Sequence, residues 1–263
     1  YDFAPVTRLQ NVTASSLTQD NFAPGFAPDG SASVGATFPG TPNNDRLIGT
    51  VGNDLIEGGA GFDVIDGSYG NDTINGGDGD DGITDIHGSN IIDGGAGNDT
   101  IENGGQAGTV SGGDGDDIIL AYGGSNTLLP DNTEVFTGDT VDGGAGDDRI
   151  YTNWFATVTL GSGADTVQAN YGVVVTDFSA AEDKIQIELL LSDLVPFTFT
   201  AHPNWDQVSN PFGEFLQIRQ EGDDTVIDIL RETVSIDEFG IDTYTYDFAP
   251  VTRLQNVTAS SLT

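Results

Sequence analysis

Ten aspartates placed by one rule are the residues of this chain best suited to chemistry. They are Asp45, Asp54, Asp63, Asp72, Asp81, Asp99, Asp117, Asp139, Asp148 and Asp165, and each holds the sixth place of a nine-residue phrase. The phrase is clearest in Gly58 to Asp66 (GGAGFDVID), Gly67 to Asn75 (GSYGNDTIN), Gly76 to Thr84 (GGDGDDGIT), Gly94 to Glu102 (GGAGNDTIE), Gly112 to Leu120 (GGDGDDIIL) and Gly143 to Tyr151 (GGAGDDRIY). Its common form is G-G-x-G-x-D-x-U-x, with U apolar. A carboxylate is a hard anionic oxygen donor, and glycines permit positive φ and let main-chain carbonyls converge. Two such turns face to face make an oxygen cage for a hard cation.

The elements that carry these carboxylates must repeat with the same period. The eighth place reads Leu47, Ile56, Ile65, Ile74, Ile83, Ile92, Ile101, Val110, Ile119 and Leu128 at nine-residue steps, and resumes at Val141, Ile150 and Val167. The tripeptide x-U-x is a strand too short to stand alone, so its single aliphatic must stack on its equivalents from neighbouring turns. Two nonapeptides then make one coil. A disordered acidic linker would share the Gly and Asp content but has no reason to keep an aliphatic in phase.

This pattern resembles the calcium-binding repeats-in-toxin (RTX) family. The resemblance covers residues 40 to 187 and implies an all-β, right-handed parallel β-roll with a β-rich carboxy-terminal cap, calcium lying between turns one coil apart. On one edge it selects Asp45, Asp63, Asp81, Asp99 and Asp117, a ladder enclosing four sites. The other edge begins with Asp54 and Asp72 and continues with Asn90, Gly108 and Asn126 where aspartate is expected. A four-residue surplus near Pro130 to Thr133, expected to bulge as a loop, and a one-residue deficit near Thr152 to Thr159 break the phase before Asp139, Asp148 and Asp165. Asp148 and Asp165 make a further pair. Six sites follow, with two weaker ones where Asp72 faces Asn90 and where Asp117 faces Asp139, for six to eight calcium ions.

Outside the repeats, Val173 to Ile187 (VVVTDFSAAEDKIQI) resembles the segment that closes many RTX rolls, matching it at Asp177, Phe178, Asp183 and Ile185. Phe215 to Leu230 alternates apolar and polar residues around Gly222-Asp223, the signature of a hairpin. Residues 1 to 18 (YDFAPVTRLQNVTASSLT) recur unchanged as residues 246 to 263. The organisation read from this is: 1–22, the end of a preceding cap; 23–39, a Pro/Gly-rich linker; 40–168, the roll; 169–245, the cap; and 246–263, the start of the next tandem unit. Val6 to Phe22 looks like a strand, turn and short helix, with Ser16 and Gln19 at capping-box spacing, and residues 232 to 239 look like a cousin of it.

Forty-two acidic residues against seven basic ones give a net charge of −35, which disfavours contact with nucleic acid or anionic membranes and demands neutralising cations. There is no cysteine, so disulfides play no part. No His-Glu-x-x-His helix or Gly-x-Ser-x-Gly elbow occurs, and no apolar run is long enough to cross a membrane; no catalytic residue is assigned and no enzyme is expected. His87 and His202 read as surface residues. Trp154, Phe155 and Tyr171, with the loop near Pro130, are the candidate surface for a lectin-like role, although such aromatics more often pack against a cap. The expected function is a calcium-stiffened structural unit of a giant secreted bacterial protein, exported by type I secretion and partnered by neighbouring units or identical chains in a fibre, surface layer or adhesin stalk. The alternative is a secretion and folding module of an exported enzyme or toxin.

Overall fold

The computed structural model describes residues 35–131, 133–186, 216–236 and 242–257. The x-U-x tripeptides become the strands of two parallel faces. One face stacks β1 (Thr37–Thr41), β3 (Leu55–Ala60), β5 (Thr73–Asp78), β7 (Ile91–Ala96), β9 (Thr109–Asp114), β13 (Thr140–Ala145), β15 (Thr157–Ser162) and β17 (Val173–Val175). The other stacks β2 (Arg46–Ile48), β4 (Val64–Asp66), β6 (Gly82–Asp85), β8 (Thr100–Asn103), β10 (Ile118–Ala121), β14 (Arg149–Thr152), β16 (Thr166–Gln168) and β18 (Lys184–Gln186). The architecture is a parallel β-solenoid of eight coils, and at about 4.8 Å between stacked strands the roll is about 34 Å long.

Register follows from the aliphatic at the eighth place. Ile56 pairs with Ile74, Ile74 with Ile92 and Ile92 with Val110 on one face, while Ile65, Ile83, Ile101 and Ile119 stack on the other. These side chains are almost wholly removed from water and form the core. Each contributes about 1.5–3 kcal/mol relative to exposure, and no coil could bury its own aliphatic without a neighbour.

The insertion is larger than the expected four residues. Val110 pairs with Val141 and Ile119 with Ile150, a step of thirty-one residues where eighteen is the rule. Thirteen residues therefore leave the solenoid. They form the antiparallel hairpin of β11 (Gly124–Leu128) and β12 (Glu134–Gly138). Leu128, expected in the core column, is 63% exposed, and Asn126 pairs with Phe136 in the hairpin and stands on neither edge of the roll. After the insertion the one-residue deficit appears as a seventeen-residue step from Val141 to Val158 and from Ile150 to Val167.

Three boundaries also shift. Residues 37–39, assigned to the linker, begin the first strand, and Phe38 packs against the core. The roll runs on past residue 168 through β17 and β18, with Phe178 in the core. The cap comprises β19 (Leu216–Glu221), β20 (Asp224–Ile236) and β21 (Asp242–Leu254), with β19 and β20 joined by a tight turn in which Gly222 has φ +68°. Residues 232–236 belong to the long strand β20, and 237–239, the rest of the segment likened to Val6 to Phe22, lie outside the described residues. The second copy of the duplicated segment closes this roll: Thr252, Arg253 and Leu254 pair in parallel with Val173, Val174 and Val175, and Leu254 and Val257 lie in the core. The first copy, residues 23–34 of the linker, Ser16, Gln19 and His202 lie outside the described residues.

Candidate metal centre

The sixth-place aspartates form a continuous spine along one edge. The backbone N–H of each donates to Oδ1 of its counterpart one coil later: Asp45 to Asp63, Asp63 to Asp81, Asp81 to Asp99, Asp99 to Asp117, Asp117 to Asp148, Asp148 to Asp165 and Asp165 to Asp183, over 2.7–3.2 Å. The hairpin leaves from the opposite edge, so it does not interrupt this row. Asp148, not Asp139, is the neighbour of Asp117. Asp183, noticed in the sequence only as part of the closing segment, is the last rung.

One carboxylate oxygen is thus anchored and the other is free. Oδ2 of Asp63, Asp81, Asp99, Asp117, Asp148 and Asp165 is buried with no hydrogen-bond partner. Such an atom costs about 1–3 kcal/mol or more if charged, so each calls for a counter-charge. The first glycine of the motif shows where it fits. A Cβ on Gly58 would lie 2.6 Å from Asp63 Oδ2 and collide with the carbonyl oxygen of Gly76. The same relation joins Gly76 to Asp81 and the Gly94 carbonyl, Gly94 to Asp99 and the Gly112 carbonyl, Gly112 to Asp117 and the Gly143 carbonyl, and Gly143 to Asp148 and the Leu160 carbonyl. Each is a point between coils, open only because no side chain is present, on which an unpaired carboxylate oxygen and a carbonyl oxygen converge. Among the described residues no three His, Cys, Asp or Glu side chains meet at one place, so an ion here must also draw on main-chain oxygens. That donor set suits calcium, which takes several carboxylate and carbonyl oxygens in a flexible cage.

Two other glycines of the motif serve the backbone. Gly59 (φ +108°) and Gly61 (φ +113°) occupy the left-handed region that places the turn carbonyls.

Burial acts on these acids before any ion does. Desolvation, only partly offset by the N–H bonds they accept, pushes the Asp99 and Asp148 carboxyls up to about 7 and Asp117 up to about 6, and raises Asp81 and Asp165. The charges of neighbouring aspartates add to the shift.

The amino-terminal aspartates are built differently. Oδ2 of Asp45 accepts from the Thr41 N–H at 2.6 Å, and Oδ2 of Asp54 from the Thr50 N–H at 2.5 Å, because threonine stands where the motif has its second glycine. Asp54 passes its own N–H to Asp72, and Asp72 to Oδ1 of Asn90. Asp139 departs from its assignment as a metal ligand. Its Oδ1 accepts from Gly108 N–H at 2.7 Å and Asn103 Nδ2 at 3.0 Å, its Oδ2 from Gly123 N–H at 2.7 Å, and Asn90 Nδ2 donates in turn to Asn103 Oδ1 at 3.2 Å. Amide hydrogens fill the place a cation would take, so this part of the second edge is sealed by protein alone.

Sequence reasoning passed over the fifth place, written as x. There Asn44, Asn53, Asn71, Asp80, Asn98, Asp116 and Asp147 each accept, through Oδ1, the N–H of the fifth-place residue one coil later at 2.8–3.0 Å. The recurrence of Asn or Asp at that place was the available signal. The aromatics of the candidate ligand surface pack partly on one another: half-buried Phe155 stacks on Phe136 of the hairpin at 4.8 Å and meets half-buried Tyr171 edge-on at 5.4 Å, while Trp154 stays exposed. His87 is half-buried, bonded through Nδ1 to the Ser68 carbonyl and stacked on Tyr69 at 4.1 Å.

A model of the RTX calcium-binding nonapeptide repeat (4 copies) matches residues 39–68, 48–83, 88–110, 104–131 and 137–155. No curated protein matches the chain. The solution structure of the AlgE6R3 subunit from the Azotobacter vinelandii mannuronan C5-epimerase is similar over 85% of this chain and 76% of its own, at 16% identity and a TM-score of 0.20. The in-phase aspartates, the glycine-lined cradles and the repeat match agree: residues 39–155 of this chain carry the calcium-binding nonapeptide repeats of the RTX family.

Proposed function

We propose that this module is a calcium-dependent extracellular structural unit of a long tandem-array protein, serving as a fibre, surface-layer or adhesin extender. Export from a bacterial cell by type I secretion belongs to the same reading. The observation that carries it is the duplicated segment of residues 1 to 18 and 246 to 263, whose second copy lends a strand to the end of the roll. If every unit is closed by the same segment, every junction is alike and a regular filament follows.

The mechanism is mechanical. Asp63, Asp81, Asp99, Asp117, Asp148 and Asp165, with the carbonyls of Gly76, Gly94, Gly112, Gly143 and Leu160, would hold the ions. Bound calcium supplies positive charge shared between successive coils of a chain whose formal charge is −35. The Oδ1 spine orients each carboxylate, the fifth-place ladder holds the turns at constant spacing, and the aliphatic columns exclude water between them. Partners are neighbouring units or identical chains.

Two measurements test this. Circular dichroism and small-angle scattering of the chain should show loss of β signal and expansion in excess chelator; an unchanged spectrum would remove calcium from the account. A protein of several units imaged in calcium should appear as evenly spaced bodies on a linear thread. Compact, randomly oriented globules would favour a secretion and folding module attached to an exported enzyme.

A further inference from the structure

The second edge holds a pair of acids that the nonapeptide rule does not foresee. Asp85 stands at the first place of its phrase, where Gly49, Gly58, Gly67, Gly76 and Gly94 stand in theirs. Its side chain turns inward and is 1% exposed, as is that of Asp72. Each carboxylate is tethered at Oδ1, Asp72 by the Asp54 N–H at 2.8 Å and Asp85 by the His87 N–H at 3.3 Å. Each leaves Oδ2 buried and unpartnered. Both free oxygens face the same point: a Cβ on Gly67 would collide with Asp85 Oδ2 and lie 3.1 Å from Asp72 Oδ2. On the first edge the equivalent point is shared by one carboxylate oxygen and one carbonyl oxygen. Here a second carboxylate replaces the carbonyl.

We propose that Asp72 and Asp85 form a two-carboxylate calcium site on the second edge, distinct in its ligands from the repeat sites and lined by Gly67. The inference rests on the calcium reading of the roll. Two carboxylates in a dry space with no N–H donor between them repel strongly unless a cation or a shared proton lies there. The next coil shows the contrasting solution, with Asn103 at the first place and amide hydrogens turned toward Asp139. Calcium sites tighten as ligand charge increases, so this site fills before those of the first edge.

The test is calcium titration by calorimetry of the chain, Asp85→Asn and Asp85→Ala, with anomalous diffraction from calcium-loaded crystals. Expected are an ion between Asp72 and Asp85, loss of one ion in both variants, and loss of the earliest phase of the titration. Asp85→Asn keeps the side-chain volume, so a shared effect of both variants is not a packing artefact. Retention of the full ion count in both variants, or filled first-edge sites with no density between Asp72 and Asp85, would overturn the proposal in favour of a shared proton. Absence of calcium from both edges would instead overturn the calcium reading of the whole roll.

Discussion

A single methyl group separates a cradle from a closed contact. A Cβ on Gly94 would lie 2.5 Å from the Gly112 carbonyl oxygen and still closer to Asp99 Oδ2. Gly94→Ala should therefore lower the calcium count and the calcium-loaded melting temperature, measured by calorimetry and thermal circular dichroism. Gly222→Ala is the control, since that residue has φ +68° with nothing within 4 Å of the added Cβ; it should cost about 1 kcal/mol of backbone strain and leave calcium binding intact. The fifth-place ladder has a different signature. Asn98→Ala removes the acceptor of the Asp116 N–H and leaves every sixth-place aspartate in place. Denaturant titration in calcium should show a loss of about 0.5–1.5 kcal/mol with unchanged ion stoichiometry; a fall in stoichiometry would mean that the fifth place also binds.

At the scale of elements, the hairpin of β11 and β12 is an appendage rather than a coil. Gly124 and Gly138 face each other across its base, and the residues between them are the thirteen that lengthen the step from Asp117 to Asp148. Excising Ser125 to Thr137 and joining Gly124 to Gly138 should restore the regular spacing. The shortened chain should keep its first-edge calcium sites and its β signal. It should lose some thermal stability because Phe136 no longer covers Phe155. Loss of calcium-dependent folding in the deletion would show that the hairpin is an integral support of the roll.

For the molecule as a whole, pH and calcium act on the same acids in opposite directions. Burial holds Asp117 at about 6 and Asp99 and Asp148 at about 7 in the folded, metal-free roll, against about 3.9 in an unfolded chain. The folded state then binds more protons than the unfolded one across that interval, so stability falls as pH rises. The metal-free roll should keep more β structure at pH 5 than at pH 8, whereas calcium affinity, which needs the ionised acids, should rise between them. Melting curves in chelator at the two pH values, with calcium titrations beside them, check both signs. Equal metal-free stability at pH 5 and 8 would show that the spine is not desolvated as the geometry requires.

The aspartate ladder, the aliphatic column and the solenoid were all legible in the sequence, because a solenoid coil contacts only its neighbours and a period along the chain maps directly onto a period in space. Ile56 to Ile119 and Asp63 to Asp117 needed nothing beyond counting. Counting failed where the chain left its period. Leu128 kept the phase yet lies in a hairpin, and Asp139 kept the motif yet is saturated by Gly108, Gly123 and Asn103. Asp85, out of place in the motif, faces Asp72 across the Gly67 cradle. Which acid meets which depends on what the next coil brings opposite, and after the insertion also on the register set by the stacking of whole coils. Only the tertiary structure decided it, since a carboxylate finds a cation or an amide hydrogen according to what the next coil brings opposite.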